Sequence, residues 1–264
     1  MKRIDLGRAL LRLVMTALLT TLPAMAQAAA PQTETETFYE ARPAPGAQQV
    51  TVGVLIFPGF EMLDAYGPME MWGSLKHAPA RFWGGADKRV AARLVTIAAK
   101  PGPVASNQGP STVADYGYSD SPKLDFLLVP GGIGAVPLVS DPATLNWLRA
   151  QSGKTQIIMS VCNGASLLAA AGILDGRPAT TNKMAFKSST APGPKVKWVK
   201  SARWVDDGAV VSSSGVSAGM DMTLAVISRL YGKNIGDWLE RITEYDAHRD
   251  PSWDPFAVKA GLVN

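Results

Sequence analysis

Short apolar runs alternate with segments of helical periodicity along most of the sequence. Runs such as DFLLVPGG (125–132) and TQIIMSV (155–161) have almost continuously apolar centres, which is typical of strands buried on both faces of a sheet. The segment DPATLNWLRAQ (141–151) lies between them, with Asp141 placed to cap a helix and Pro142 at its first position. This order predicts a doubly wound α/β fold, with a mainly parallel, flavodoxin-like sheet flanked by helices and a site at the carboxyl ends of the strands.

The same reasoning predicts the other elements of the domain. In chain order they are a strand in QVTVGVLIF (49–57), a helical run EMLDAYGPMEMWGSL (61–75) interrupted by Gly67 and Pro68, a strand ARLVTIAA (92–99), a helix over 163–171, a hairpin ARWVDDGAVVSSS (202–214) turning at Asp207-Gly208, and helices AGMDMTLAVISRLYG (218–232) and NIGDWLERITEYDA (234–247). The sequence shows no internal repeat. Its length suits one such domain.

The N-terminus has a distinctive order of residue types. Three basic residues among the first eight precede an apolar run at 13–22 and the small residues AMA at 24–26. This order is typical of a secretory signal peptide, so we expect residues 1–26 to be cleaved and the protein to be periplasmic. A membrane anchor is the weaker interpretation, because the apolar run is well short of the ~20 residues that span a bilayer. Residues 27–49 are predicted to form a linker or flexible arm, and residues 50–264 the α/β domain.

The charge balance argues against a nucleic-acid partner. The whole chain has 26 Lys and Arg residues against 22 Asp and Glu residues. Four of these cations and one of the anions lie within residues 1–26, which leaves 22 cations and 21 anions after cleavage. Such a chain lacks the basic excess that favours nucleic acid or anionic membranes. We expect no nucleic-acid partner and no stable membrane insertion after cleavage. Since the chain ends at Asn264 without a helix-turn-helix segment, we expect no DNA-binding regulator.

Cys162 is the only cysteine, and it stands where the strand TQIIMSV meets the helix that follows. Gly164, two residues later, is the small residue that a sharp strand-to-helix turn requires, as in nucleophile elbows. The unpaired N–H groups at a helix N-terminus favour a thiolate over a thiol. A nucleophile is the favoured interpretation, and a buried, inert cysteine is the alternative. A metal site is not expected, because one Cys and two distant His residues have no ligand spacing.

Four blocks of the sequence resemble corresponding blocks of the ThiJ/PfpI superfamily, whose fold is class I glutamine amidotransferase-like. They occur in the family's order and span residues 52–72, 125–132, 157–182 and 210–227. The isonitrile hydratase-like branch is the most similar, together with the ligand domain of AraC-type regulators. The resemblance covers about residues 50–247 and implies assembly as a homodimer.

The resemblance also assigns roles to individual residues. Cys162 matches the elbow nucleophile, and Asp64 matches the acidic residue that hydrogen-bonds this cysteine. The turn PGGIG implies an oxyanion site formed by the N–H groups of Gly132 and Ile133, with that of Asn163. If burial keeps the Asp64 carboxyl group partly protonated, this group can hold the sulfur and transfer a proton.

The chain departs from the family pattern at three places. Asn163 stands where isonitrile hydratases typically have Thr, and Asn182 ends an ATTN motif where many relatives have ATTH. Asn182 is therefore a candidate pocket residue that cannot form a Cys-His pair. The third departure is at His248, which stands where many relatives continue with a Pro-rich EYDP segment. His248 and His77 both lie outside every matched block and are expected to lie away from the site.

With Asp64 as the acid-base partner of Cys162, the resemblance implies an isonitrile hydratase-like lyase. Such an enzyme converts R–NC into an N-substituted formamide without a cofactor. Two alternatives stay open. One is a non-catalytic, redox-sensing or stress-protective protein whose thiol is oxidised. The other is a glyoxalase or deglycase, although those relatives usually carry a His near the thiol. The neighbouring Glu61 and Glu70 are interpreted as surface carboxylates.

Overall fold

The computed structural model describes residues 45–85 and 88–264, and the predicted signal peptide and most of the predicted arm lie outside them. The strands, in chain order, are β1 (Gln48–Leu55), β2 (Val90–Ile97), β3 (Gly102–Ala105), β4 (Ser111–Ala114), β5 (Phe126–Val129), β6 (Ile157–Ser160), β7 (Pro178–Ala179), β8 (Lys197–Trp198), β9 (Trp204–Asp206) and β10 (Val210–Ser213). The α-helices are α1 (Met62–Ser74), α2 (Ala80–Trp83), α3 (Ala135–Leu138), α4 (Pro142–Ser152), α5 (Gly164–Ala170), α6 (Phe186–Thr190), α7 (Ala218–Tyr231), α8 (Lys233–Thr243) and α9 (Pro255–Lys259). Within the described residues, no helix combines the length and apolarity needed to cross a bilayer.

Six strands form the central sheet, in the order β2-β1-β5-β6-β10-β9. Neighbouring strands are parallel, except that β9 pairs antiparallel with β10. Val52, Leu128 and Met159, on β1, β5 and β6, are fully buried, as expected for a sheet covered by helices. Two short pairs, β3 with β4 and β7 with β8, lie outside this sheet. The mainly parallel, helix-flanked fold predicted from the sequence is confirmed.

The chain reverses its direction of winding beside β1. From β1 it crosses to β2 on one side, and it later builds β5 and β6 on the other side. In open α/β sheets, ligands bind in the crevice that such a reversal opens at the carboxyl ends of the strands. The segments that follow β1, β5 and β6 start at this edge, and they carry Asp64, Gly132 and Cys162.

Short-range signals in the sequence correctly predicted several element ends. Asp141 caps α4, because its Oδ2 accepts the Thr144 N–H at 2.8 Å, and Pro142 is the first helical residue. The hairpin between β9 and β10 turns with Gly208 at a φ of 75°. Gly232, with a φ of 99°, separates α7 from α8. These predictions are confirmed because caps and tight turns are decided by a few adjacent residues.

Helix α1 continues through Gly67 and Pro68, where the sequence predicted an interruption. Proline lacks an N–H group and therefore removes the helical hydrogen bond to the Asp64 carbonyl. Packing against α7 compensates for this loss. Gly67 and Pro68 are buried, and a Cβ atom on Gly67 would lie 2.7 Å from Met220 Cγ. The tertiary contact outweighs the local preference, and Asp64 sits on the first turn of an intact helix.

Candidate active site

Cys162 lies at a strained corner between β6 and α5. Its φ is 58°, in the left-handed region, which costs a non-glycine residue about 1–2 kcal/mol. Two hydrogen bonds hold the corner: the Cys162 N–H donates to the Ser214 carbonyl at 3.1 Å, and the Thr181 hydroxyl donates to the Cys162 carbonyl at 2.8 Å. Gly164 is required here, because a Cβ atom on it would lie 2.2 Å from the Val129 carbonyl oxygen.

Asp64 is completely buried and interacts with the Cys162 thiol. Its Oδ2 accepts the Gly131 N–H at 2.8 Å, whereas Oδ1 has no hydrogen-bond partner of normal geometry among the described residues. Burial raises the pKa of Asp64 to about 8, partly offset by the Gly131 N–H. The charge of Glu61 raises this pKa further, and Cys162 lowers it. Asp64 is therefore protonated at neutral pH, with Oδ1 as the oxygen available to carry the proton.

The surroundings of the Cys162 sulfur differ from those expected. Cys162 is only 7% exposed, and burial raises the pKa of its thiol above the ordinary value. The charges of Asp64 and Glu61 raise this pKa further, whereas the Asn163 N–H and the Asn182 amide lower it. The expected thiolate is not supported. Desolvation raises the pKa of the thiol by more than the N-terminus of α5, a helix of only seven residues, lowers it. The resting pair is a neutral thiol beside a protonated carboxyl group.

The glycine turn after β5 also differs from expectation. The Gly132 N–H donates to Asn163 Oδ1 at 2.7 Å, and Asn163 Nδ2 donates to the Gly132 carbonyl at 3.0 Å. The predicted oxyanion role of the Gly132 N–H therefore needs correction, since this group is already paired within the protein. Gly131 permits the arrangement, because a Cβ atom there would lie 2.2 Å from Asn163 Oδ1. The two hydrogen bonds fix the turn against the Cys162 corner.

Other hydrogen-bond donors surround the sulfur. Asn182 Nδ2 donates to Cys162 Sγ at 3.1 Å, and the Asn163 N–H also donates to the sulfur. Ile133 lines the adjoining cavity, and its N–H has no acceptor within the described part of the chain. The structure thus brings Cys162, Asp64, Asn163 and Asn182 together. The Ile133 N–H can stabilise negative charge that develops on a bound molecule, and the Asn163 and Asn182 donors can stabilise charge on the sulfur.

The position of Asn182 depends on its neighbours. A Cβ atom on Gly215 would lie 2.2 Å from Asn182 Nδ2, so only glycine leaves room for the amide. The buried Lys183 ammonium group donates to Thr180 Oγ1 and to the Ala202 carbonyl, each at 2.6 Å. These bonds anchor the segment on both sides of Asn182. The amide therefore gives the sulfur a fixed donor that does not titrate, where an imidazole would titrate near neutral pH.

Cys162 borders a cavity of about 400 Å³. The apolar part of its lining includes Ile133, Val136, Val139, Pro192 and Val216. Glu61 also lines this cavity and is half-buried, so its interpretation as a surface carboxylate was wrong. Glu70 is exposed, as expected. The sequence did hold a signal for Glu61, because it follows the turn at the carboxyl end of β1, where ligand-binding residues of this fold class occur.

Neither histidine lines the Cys162 cavity. His248 Nε2 pairs with the Trp253 carbonyl at 3.1 Å, and the His248 N–H donates to Asp221 Oδ1 at 2.9 Å. His77 ends the 3₁₀ turn that follows α1. Both placements agree with the expectation that the histidines lie away from the site. Across the residues that the structure describes, no three or more His, Cys, Asp or Glu side chains are grouped so as to hold a metal ion.

Comparison with known proteins decides the family. The profile of the DJ-1/PfpI family matches residues 50–229. The chain belongs to the DJ-1/PfpI family. The matched DJ-1/PfpI segment contains Asp64, the glycine turn, Cys162 and Asn182, so the whole arrangement described above lies within the family's domain. The resemblance inferred from four sequence blocks is confirmed.

Relatives of this DJ-1/PfpI protein differ in function. Isonitrile hydratase of Pseudomonas putida is 32% identical over 196 residues, which are 74% of this chain and 78% of that protein. The HTH-type transcriptional regulator CdhR of Pseudomonas aeruginosa is 29% identical over 143 residues, which are 54% of this chain but 42% of the regulator. The crystal structure of a ThiJ/PfpI family protein from Pseudomonas syringae is 25% identical, with a TM-score of 0.64 over 92% of this chain and 91% of that one. Family membership thus establishes the fold and leaves the reaction to be argued from the site.

Proposed function

We propose that this DJ-1/PfpI protein is a cysteine-dependent lyase that adds water to a small electrophile, as in the hydration of an isonitrile. The observation that carries this proposal is the neutral Cys162–Asp64 pair beside a largely apolar cavity. An isonitrile is a small, apolar molecule whose terminal carbon becomes electrophilic when it is protonated. A buried carboxylic acid next to a thiol supplies the proton and the nucleophile that this chemistry needs. The similarity to isonitrile hydratase of Pseudomonas putida supports the proposal.

The proposed reaction begins with a proton transfer. Asp64 Oδ1 donates its proton to the terminal carbon of R–NC, the Cys162 sulfur bonds to that carbon, and the thiol proton passes to Oδ1. The product of this step is a covalent thioimidate, R–N=CH–S–Cys. Water then adds to the same carbon, and one of its protons reaches the nitrogen through Asp64. The carbon–sulfur bond breaks, the sulfur regains a proton, and R–NH–CHO leaves. The Asn163 N–H and the Asn182 amide stabilise the sulfur as it departs.

The composition of the site favours this reaction over the glyoxalase or deglycase alternative. Those activities were expected to use a His near the thiol. Asn182 occupies the corresponding position here, and neither His77 nor His248 lines the cavity. Asp64 is therefore the proton-transfer group that the geometry offers to Cys162.

A substrate panel tests the proposal directly. We expect the purified protein to convert cyclohexyl isocyanide into N-cyclohexylformamide and to leave methylglyoxal unchanged, with proton NMR following both compounds and heat-denatured protein as the control. Conversion of methylglyoxal without formation of a formamide would support the glyoxalase alternative. If neither compound reacts, while peroxide converts the Cys162 thiol to a sulfenic acid, the redox-sensing alternative replaces the lyase.

We further propose that the protein is exported to the periplasm, on the evidence of the signal-like order of residues 1–26. When the full chain is expressed with its own N-terminus, N-terminal sequencing of the periplasmic fraction should begin at Gln27. Replacing the small residues Ala24 and Ala26 with arginine should leave the signal attached, because the signal peptidase reads small side chains at these positions. A soluble protein that retains Met1 would contradict export. Assembly as a homodimer, which the resemblance implies, also stays a prediction.

A further inference from the structure

Glu61 gives the Cys162 cavity an unusual charge distribution. Among the described residues that line this cavity, Glu61 and Cys162 are the only ionisable side chains. The remaining lining is apolar or consists of serine and asparagine side chains and glycine, and it includes no Lys, Arg or His. Because the thiol is neutral, the carboxylate of Glu61 is the one formal charge among the described residues of this lining.

The carboxylate of Glu61 is held in place by a neighbouring loop. Gln108, between β3 and β4, donates from Nε2 to Glu61 Oε1 and accepts the Met62 N–H through Oε1 at 3.1 Å. The Glu61 N–H in turn donates to the Gly131 carbonyl at 2.8 Å. The backbone of Glu61 is thus tied to the glycine turn, and its side chain is oriented by Gln108. Oε2 accepts no hydrogen bond from the described residues, which leaves it available to a bound molecule.

The charge of Glu61 affects the protonation of the two reacting groups, Asp64 and Cys162. It is one of the causes that raise the pKa of both Asp64 and Cys162. An apolar cavity screens this charge less than water does, so a fixed carboxylate attracts cations and repels anions within it more strongly than at an open surface.

We infer that Glu61 makes the Cys162 cavity selective for small electrophiles that carry a positive charge, such as an ammonium group, over anionic ones. This inference rests on the proposed function in one respect, namely that the bound molecule is an electrophile. The charge selection itself can be measured on the thiol without any turnover. Within the proposed reaction, the preferred substrate is then a small electrophile such as an isonitrile whose substituent carries a cationic group, so that this group pairs with Glu61 while the electrophilic carbon reaches Cys162.

Charge-matched thiol reagents provide the test, because Cys162 is the only cysteine in the chain. Three methanethiosulfonates are compared, with a trimethylammonioethyl, a sulfonatoethyl or a methyl group. In each reaction the sulfur forms a mixed disulfide, methanesulfinate leaves with the electron pair of the broken S–S bond, and the thiol proton goes to solvent. Mass spectrometry follows the modification rate. Dividing each rate by that of the methyl reagent removes effects on the pKa or the accessibility of the thiol itself.

We expect the cationic reagent to react faster than the anionic one, and Glu61→Gln to reduce this ratio about tenfold or more at low salt. Glu70→Gln is the matched control, since Glu70 is an exposed carboxylate on α1, the helix that follows Glu61, and lies outside the cavity. An unchanged ratio in Glu61→Gln, or an equal change in Glu70→Gln, would overturn the inference. This experiment consumes no substrate, so its result does not depend on whether isonitriles are turned over. Conversely, an unchanged ratio would contradict the charge selection but not the proposed lyase reaction.

Discussion

Replacing Cys162 with serine should reduce isonitrile turnover to the uncatalysed background while leaving the fold intact. Serine is close to cysteine in size, so it can occupy the same corner and accept the hydrogen bond from Asn182. Its hydroxyl group is a far weaker nucleophile and cannot form the thioimidate. The measurements are kcat/KM for cyclohexyl isocyanide and the thermal unfolding midpoint by circular dichroism.

His248→Ala is the control for this experiment, because His248 lies outside the cavity and its ring pairs with the Trp253 carbonyl. It should keep most of the wild-type kcat/KM. If Cys162→Ser retains a substantial part of the activity, or if His248→Ala is as damaging as the cysteine variant, Cys162 is not acting as the nucleophile proposed here.

Asp64→Asn should lower kcat/KM by about 10²- to 10⁴-fold, the range for a positioned general acid-base group. The asparagine carbonyl can still accept the Gly131 N–H, and its amide can still face the sulfur, but it has no transferable proton. Wild-type activity should also fall above about pH 8, where Asp64 loses the proton that the first step requires. The residual activity of the variant should lack this decline. If the decline persists in Asp64→Asn, an acid other than Asp64 is responsible.

The same variant should change how stability depends on pH. The pKa of Asp64 is raised from 3.8 to about 8 in the folded state, so between these values the folded protein binds more protons than the unfolded chain. Stability therefore falls as pH rises through this window, by at most about 1.4 kcal/mol per pH unit from this group. Asp64→Asn removes this dependence, so the stability of the variant relative to the wild type should be higher at pH 8 than at pH 5. If the difference in stability between variant and wild type is the same at both pH values, the pKa of Asp64 is not raised in the folded protein.

Much of the candidate site was predictable because a few adjacent residues define it. The corner at Cys162 follows from an apolar strand, a nucleophile position and Gly164, all within eight residues. Asp64 was placed next to Cys162 by the resemblance, and its apolar neighbours indicated burial. The fold was predictable for the same reason, since strands buried on both faces leave a continuous apolar run in the sequence.

The features that were missed depend on contacts between distant segments. Gly132 was expected to aim its N–H at the substrate, but the side chain of Asn163, 31 residues later, takes that hydrogen bond. The thiolate was expected from the local helix terminus, whereas burial by surrounding elements raises the pKa of Cys162. Glu61 was interpreted as a surface group. Its position after β1 indicates the edge of the sheet where ligands bind, but its contact with Gln108, 47 residues later, and the cavity wall come from distant segments. In each case the tertiary environment outweighs the local pattern.

The strained backbone at Cys162 bears on how the chain behaves while it is being made. The two groups that hold this residue, the Thr181 hydroxyl and the Ser214 carbonyl, both come later in the sequence. A polypeptide synthesised only as far as α5 has neither of them, and strained residues persist only where their surroundings fix them. The growing chain on the ribosome therefore carries an ordinary, relaxed cysteine. The geometry of the site arises only after β10 has joined the sheet and Ser214 is in place.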